Sequence, residues 1–145
     1  MQTNRDLVSG AHSIFECVYH IEWCPKYRFN VFKKEGSKED MESILQQIAA
    51  EHEMRIEELA VMPDHVHMVV HVKPSVSLSK ATQLFKGRSS FEYFKKHPNL
   101  RMRYRKGHMW APSSCYLTTG VVDLERTKEY VRRQVDIHQT KINAF

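Results

Sequence analysis

The chain has no apolar run long enough to matter to a bilayer. The longest lies near Val66–Val72 and is interrupted by His71, whereas a membrane-spanning helix needs about 20 apolar residues. The opening residues, Met1–Ser9, are polar and lack an apolar h-region, so no secretory signal is expected. Cysteine is scarce. Cys17, Cys24 and Cys115 include no CxxC pair, which argues against a disulfide framework and a zinc ribbon and fits a reducing cytoplasm. Repeats, low-complexity tracts and an obvious linker are absent from the 145 residues, and a single domain over 1–145 is expected. Acid is almost missing from one stretch: between Lys80 and Lys106 nine Lys/Arg stand against Glu92 alone.

Aromatic residues interleave with those cations: Phe85, Phe91, Tyr93, Phe94, Tyr104 and then Trp110. Cations neutralise phosphates and aromatic faces stack bases, so the mixture suits a nucleic-acid surface. A solvated helix face with aromatics turned into the core has the same composition. The net charge of +5 does not separate the two.

The patterning predicts an order β-α-β-β-α-β-α. In Ile14–Cys24, Phe15, Cys17, Tyr19, Ile21 and Trp23 share one strand face, and Pro25 ends the strand. Gly36-Ser37 opens a helix whose Met41, Ile44, Leu45 and Ile48 form an apolar stripe. Arg55–Met62 and His65–Val72 read as a hairpin around Pro63-Asp64. Pro74 breaks the second strand, and a helix is expected from about Ser77 to Lys96, stopped by Pro98. Asn99–Ser114 reads as basic and irregular and Cys115–Val122 as a last strand. Asp123 is a suitable N-cap for a final helix to about Lys141, with Glu125 in its first turn. This is the ferredoxin-like (RRM-like) α+β arrangement, βαββαβ with an antiparallel sheet and an added C-terminal helix. Helices on one face leave the other sheet face open to a site.

Two patterns could carry chemistry. In His65–Val72 the alternation sends Val66, Met68, Val70 and Val72 one way, and His65, His67 and His71 the other, with Val69. Side chains at i and i+2 on a strand stand roughly 6.5–7 Å apart at the Cα, so two imidazoles can converge on one ion. Solvent-facing strand residues give the same pattern. In the final helix Tyr130 and Gln134 are i, i+4, and Val131 and Val135 form the neighbouring apolar stripe. An amphipathic tyrosine beside a surface glutamine is the plain alternative.

Taken together, these segments resemble the single-tyrosine HUH (histidine–bulky–histidine) transposases, TnpA-type, of the smallest prokaryotic insertion sequences, or their REP-associated relatives. The resemblance rests on His20-Ile21-Glu22-Trp23-Cys24-Pro25-Lys26-Tyr27-Arg28, Val61-Met62-Pro63-Asp64-His65-Val66-His67, Leu84-Phe85-Lys86-Gly87-Arg88-Ser89-Ser90 and Tyr130-Val131-Arg132-Arg133-Gln134, in the family's order. It implies that His65, His67 and Gln134 hold a divalent metal, Mg²⁺ or Mn²⁺. It also implies that Tyr130 attacks single-stranded DNA at hairpin-marked element ends, leaving a 5′-phosphotyrosine and a free 3′-OH. A homodimer with active sites shared between subunits is implied too. From composition, Lys26, Arg28, Lys86, Arg88, Arg101, Arg103, Arg105 and Lys106 are candidate DNA contacts. Arg105-Lys106 stands before Gly107-His108-Met109-Trp110 where family members often carry an aromatic-glycine pair. His71 has no role in the family pattern and reads as structural or surface. A domesticated relative of the same chemistry and a non-catalytic nucleic-acid-binding module are the rival readings. A metallohydrolase with a water nucleophile is disfavoured, since the Tyr130/Gln134 pair holds no acid.

Overall fold

A computed structural model of the chain describes residues 17–118, 125–126 and 128–136. The first strand, β1 (Cys17–Trp23), alternates as expected, with Ile21 and Trp23 buried. Ile14 and Phe15 lie outside the described residues. After a 3-10 turn, Lys26–Arg28, the chain enters α1 (Ser37–Glu51). Gly36 precedes it at φ 83, a left-handed backbone that glycine adopts without steric cost. Strands β2 (Arg55–Met62) and β3 (His65–Val72) form the expected hairpin. The second helix, α2 (Leu78–Lys96), starts where Ser77 caps it, its hydroxyl accepting from Lys80 N at 3.0 Å. The stretch read as irregular begins with one helical turn, α3 (Pro98–Arg101), with Pro98 at its first position, where a missing N–H costs nothing. The last strand, β4, spans Cys115–Thr118. Residues 125–126 and 128–136 are helical. The expected continuation of β4 to Val122, the Asp123 cap and the helix end near Lys141 lie outside the described residues.

The sheet is antiparallel throughout in the order β2-β3-β1-β4, the ferredoxin-like order. Its inner face packs on α1 and α2 around Ile21, Trp23, Met41, Leu45, Ile48, Val66, Met68, Val70 and Phe85. Trp23 stacks on Phe85 at 6.4 Å and meets Trp110 edge-on at 5.7 Å. The other face is not open. Val131 of the helical segment 128–136 is buried against Ala60, Met62 and Val69, with Val18 and Val135 at the rim. Val69, the apolar residue among the strand histidines, is therefore a docking point for the helix. Two ion pairs flank it, Lys128 Nζ to Glu57 Oε2 at 3.4 Å and Arg132 Nε to Glu58 Oε1 at 2.7 Å. Among the described residues no helix is long and apolar enough to cross a membrane.

Candidate active site

The site is built where the middle strand, the hairpin turn and the last helix meet. Strand alternation places His65 and His67 on the outer face of β3, with ring centroids 4.8 Å apart. The β1–β3 register sets Glu22 directly opposite His67, and cross-strand neighbours on one face stand within side-chain reach. One atom each from Glu22, His65 and His67 lies within 4.8 Å of the others. Since Val131 anchors the helix to the sheet, Tyr130 beside it is turned to the histidines. Its ring sits 5.9 Å from His67 and 6.0 Å from His20, edge-on to both, while 48% exposed. Gln134 follows one turn later on the same helix and is half-buried.

Each histidine has a partner that fixes its ring. Asp64 Oδ1 lies 2.7 Å from His65 Nδ1, and Asp64 Oδ2 lies 3.4 Å from the Arg28 guanidinium. A carboxylate on one ring nitrogen leaves the other to face a ligand. Burial opposes ionisation of Asp64, but the His65 hydrogen bond and the charges of His65 and Arg28 outweigh it, and its pKa falls below the usual value. On His67, Nδ1 shares a hydrogen bond with His20 Nε2 at 3.3 Å, and Glu22 Oε2 lies 3.6 Å away. Burial, then the neighbouring His65 and His20, push the His67 pKa down to about 4. Burial also lowers that of His20, against the pull of Glu22. Both rings are neutral at pH 7, the state that ligates metals.

Sequence reasoning missed Glu22, His20 and the orienting role of Asp64. Glu22 and His20 alternate with Ile21 and Trp23, so the strand pattern already placed them on the outer face. Their approach to His67 depends on the β1–β3 register. His71 is buried and lies 3.0 Å by Nε2 from Glu57 Oε1, with Arg55 alongside. It is joined through Glu57 to Lys128 of the tyrosine helix.

The basic candidates divide. Lys26, Lys86, Arg101 and Lys106 line a cavity of about 920 Å³ together with Phe91, Phe94 and Trp110. Lys26, Arg103, Arg105 and Lys106 line a neighbouring one of about 600 Å³ with Tyr27 and Tyr104. Lys26 joins the two because its N–H donates to Met109 O at 2.8 Å. Several of these cations already have partners. Lys86 Nζ donates to Ala111 O at 2.6 Å, and burial lowers its pKa. Arg101 donates to Tyr104 O at 2.9 Å and lies over the Phe94 ring. Arg88 lines neither cavity and pairs with Glu51 at 2.9 Å. Arg28 belongs to the His65 side of the site, and Arg105 and Lys106 are exposed. Tyr27, also missed, is 76% exposed, with φ 64 there and φ 49 at Arg28. Positive φ in two successive non-glycine residues is strained and is concentrated at functional positions.

Tyr130 edge-on to His67 and His20, with Glu22 opposite His67, makes a tyrosine–histidine cluster on the outer face of a ferredoxin-like sheet. The chain belongs to the IS200-like transposase family, whose model matches residues 13–134; it is a transposase, an enzyme of DNA transposition. It is 30% identical over 131 residues to the ISDra2 transposase TnpA of Deinococcus radiodurans, covering 90% of this chain and 93% of that one. Identity is also 30% to the transposase of insertion sequence IS200 from Salmonella typhimurium, covering 90% and 85%. The crystal structure of a putative transposase from Deinococcus radiodurans R1 superposes with a TM-score of 0.67 at 29% identity, over 83% of this chain and 92% of that one. A REP-associated tyrosine transposase bound to a REP hairpin shares the fold, with a TM-score of 0.62 at 11% identity over 84% and 68%.

Proposed function

We propose that this transposase cleaves and rejoins single-stranded DNA at hairpin-marked insertion-sequence ends, with Tyr130 as nucleophile and His65, His67 and Gln134 holding Mg²⁺ or Mn²⁺. One observation carries the reading: the exposed Tyr130 ring stands 5.9 Å from the buried His67. The donor set fits a hard divalent ion. Two imidazoles are fixed from behind by Asp64 and His20, and oxygen donors are available from Gln134 and the nearby Glu22. When bound, the cation supplies Lewis-acid stabilisation to a non-bridging phosphate oxygen.

Tyr130 Oη attacks phosphorus, and the Oη–P bond forms as the P–O3′ bond breaks. The protein keeps the 5′ side as a phosphotyrosine and releases a 3′-OH. Because the ester energy is retained, a second 3′-OH can reverse the step on another end without ATP. Tyr130 and Gln134 ride one helix, so nucleophile and amide arrive together. Lys26, Arg103, Arg105 and Lys106 bind the backbone of the hairpin, and Tyr27 offers a face for an unpaired base. The protein works as a homodimer in the cytoplasm, built from one domain per chain. The active sites are shared by exchange of the tyrosine helix between subunits, the partner's helix taking the place that Val131, Lys128 and Arg132 give it on the sheet of their own chain.

Labelled single-stranded element ends incubated with protein and Mn²⁺ should give a covalent adduct on a denaturing gel. Tyr130→Phe should bind hairpin DNA and form none. An adduct persisting in Tyr130→Phe removes the proposed nucleophile. Mixing Tyr130→Phe with His65→Ala/His67→Ala subunits should restore one cleaving site per heterodimer. No recovery, with heterodimers shown to form, establishes cleavage within one chain.

A further inference from the structure

We propose that Glu22 is a protein ligand of the divalent cation, completing with His65 and His67 a centre carried by the sheet alone. The assignment rests on the metal centre proposed above and adds a charged donor to it. Among the described residues, Glu22, His65 and His67 form the one group of three His, Cys, Asp or Glu side chains able to share an ion.

Chemistry favours the carboxylate. Two imidazoles and an amide present no negative charge to a dication, and hard cations select carboxylate oxygen. The other nearby acid, Asp64, is engaged by His65 Nδ1 at 2.7 Å and by Arg28 at 3.4 Å. Glu22 stands 3.6 Å from His67 Nδ1, outside hydrogen-bonding range, while His20 holds that nitrogen at 3.3 Å. Orienting His67 is therefore the work of His20, and the Glu22 carboxylate is left to face the ion.

Geometry agrees. For bonds of ~2.1 Å in an octahedron, adjacent ligands lie ~3 Å apart and opposite ones ~4.2 Å apart. The three donors lie within 4.8 Å of one another, so a small side-chain rotation closes the set. Glu22 has room for it, its side chain being 40% exposed at the rim of the site. All three ligands sit on paired strands, and Glu22 and His67 are register partners. Gln134, by contrast, is carried by the tyrosine helix. A sheet-borne centre holds its ion without that helix, and the amide adjusts a centre already loaded.

The test is a Mn²⁺ titration of the DNA-free, full-length protein, with free Mn²⁺ followed by electron paramagnetic resonance. Loss of a residue merely supporting a ligand weakens metal binding about 10- to 100-fold, so Glu22→Ala should weaken Mn²⁺ binding by at least that much. Glu22→Gln, which keeps an oxygen but loses the charge, should fall between Glu22→Ala and the parent. Gln134→Ala should lose less than Glu22→Ala. Melting in chelator checks that Glu22→Ala is folded, and if it is not, the isosteric Glu22→Gln carries the test. Parent-like affinity in the folded Glu22 variants, with binding lost in His65→Ala/His67→Ala, overturns the Glu22 assignment and leaves the histidine centre standing. Parent-like affinity in the double-histidine variant, or none in the parent, overturns both.

Discussion

Replacing Val131 with alanine should release the tyrosine helix without unfolding the sheet. Val131 is 1% exposed and is the helix residue buried in the small cluster with Ala60, Met62 and Val69. The substitution removes about two methylene equivalents, worth ~1.6 kcal/mol at ~0.8 kcal/mol each. A residual cavity adds a few tenths, because a cluster bounded by a movable helix collapses more readily than a deep core. The total, about 2 kcal/mol, lowers the docking equilibrium roughly 30-fold. The flanking ion pairs cannot make this up. Arg132 and Glu58 are 54% and 19% exposed, and pairs of that kind contribute about 0–1 kcal/mol. Amide hydrogen exchange is the assay. Protection in 128–136 should fall about 30-fold while amides of β3 keep theirs, since local opening does not break the β1–β3–β2 ladder. Cleavage should fall in parallel, because Tyr130 reaches His67 only from the docked helix. Unchanged protection in 128–136 would falsify the assignment of Val131 as the anchor. An equal loss in β3 would show that helix and sheet open as one unit.

In metal-free protein, stability should fall as pH drops from about 6.5 to about 4 through His67. Its folded pKa of about 4 lies below the unfolded value of ~6.5, so its contribution is present above 6.5 and lost as the unfolded state takes up the proton first. The gap of about 2.5 units corresponds to at most ~3 kcal/mol. Urea midpoints of His67→Asn should show a shallower pH dependence than the parent over that window, and an NMR titration of His67 centred above pH 6 refutes the cause. Neutralising Lys26, Arg105 and Lys106 together should reduce the salt slope of hairpin binding by about 2, at ~0.7 per single-strand phosphate contact. An unaltered slope takes them out of the interface. Arg101→Ala should instead lower the melting temperature, since Arg101 holds the Tyr104 carbonyl and backs Gly107, which sits at φ 76. A parent-like melting curve would reassign Arg101 to DNA.

The elements that the sequence determined by itself are those whose pattern is local. Alternation in His65–Val72 and turn chemistry at Pro63-Asp64 specify the hairpin, and the i, i+3, i+4 stripe of Met41, Ile44, Leu45 and Ile48 specifies α1. The family resemblance singled out His65, His67, Tyr130 and Gln134, and the structure brings the tyrosine to the buried histidine. Tertiary structure decided what depends on register and docking. Glu22 and His20 are at least 43 residues before His65 in the chain, and only β1–β3 pairing sets them beside His67. Val69 and His71, equally readable as solvent-facing, are buried because the last helix lies on that sheet face. The basic residues could be counted in the sequence, but which cations have partners and which face solvent depended on loops folding against each other. A side chain's periodicity determines its face; the element that comes to cover that face is chosen by packing across the whole chain.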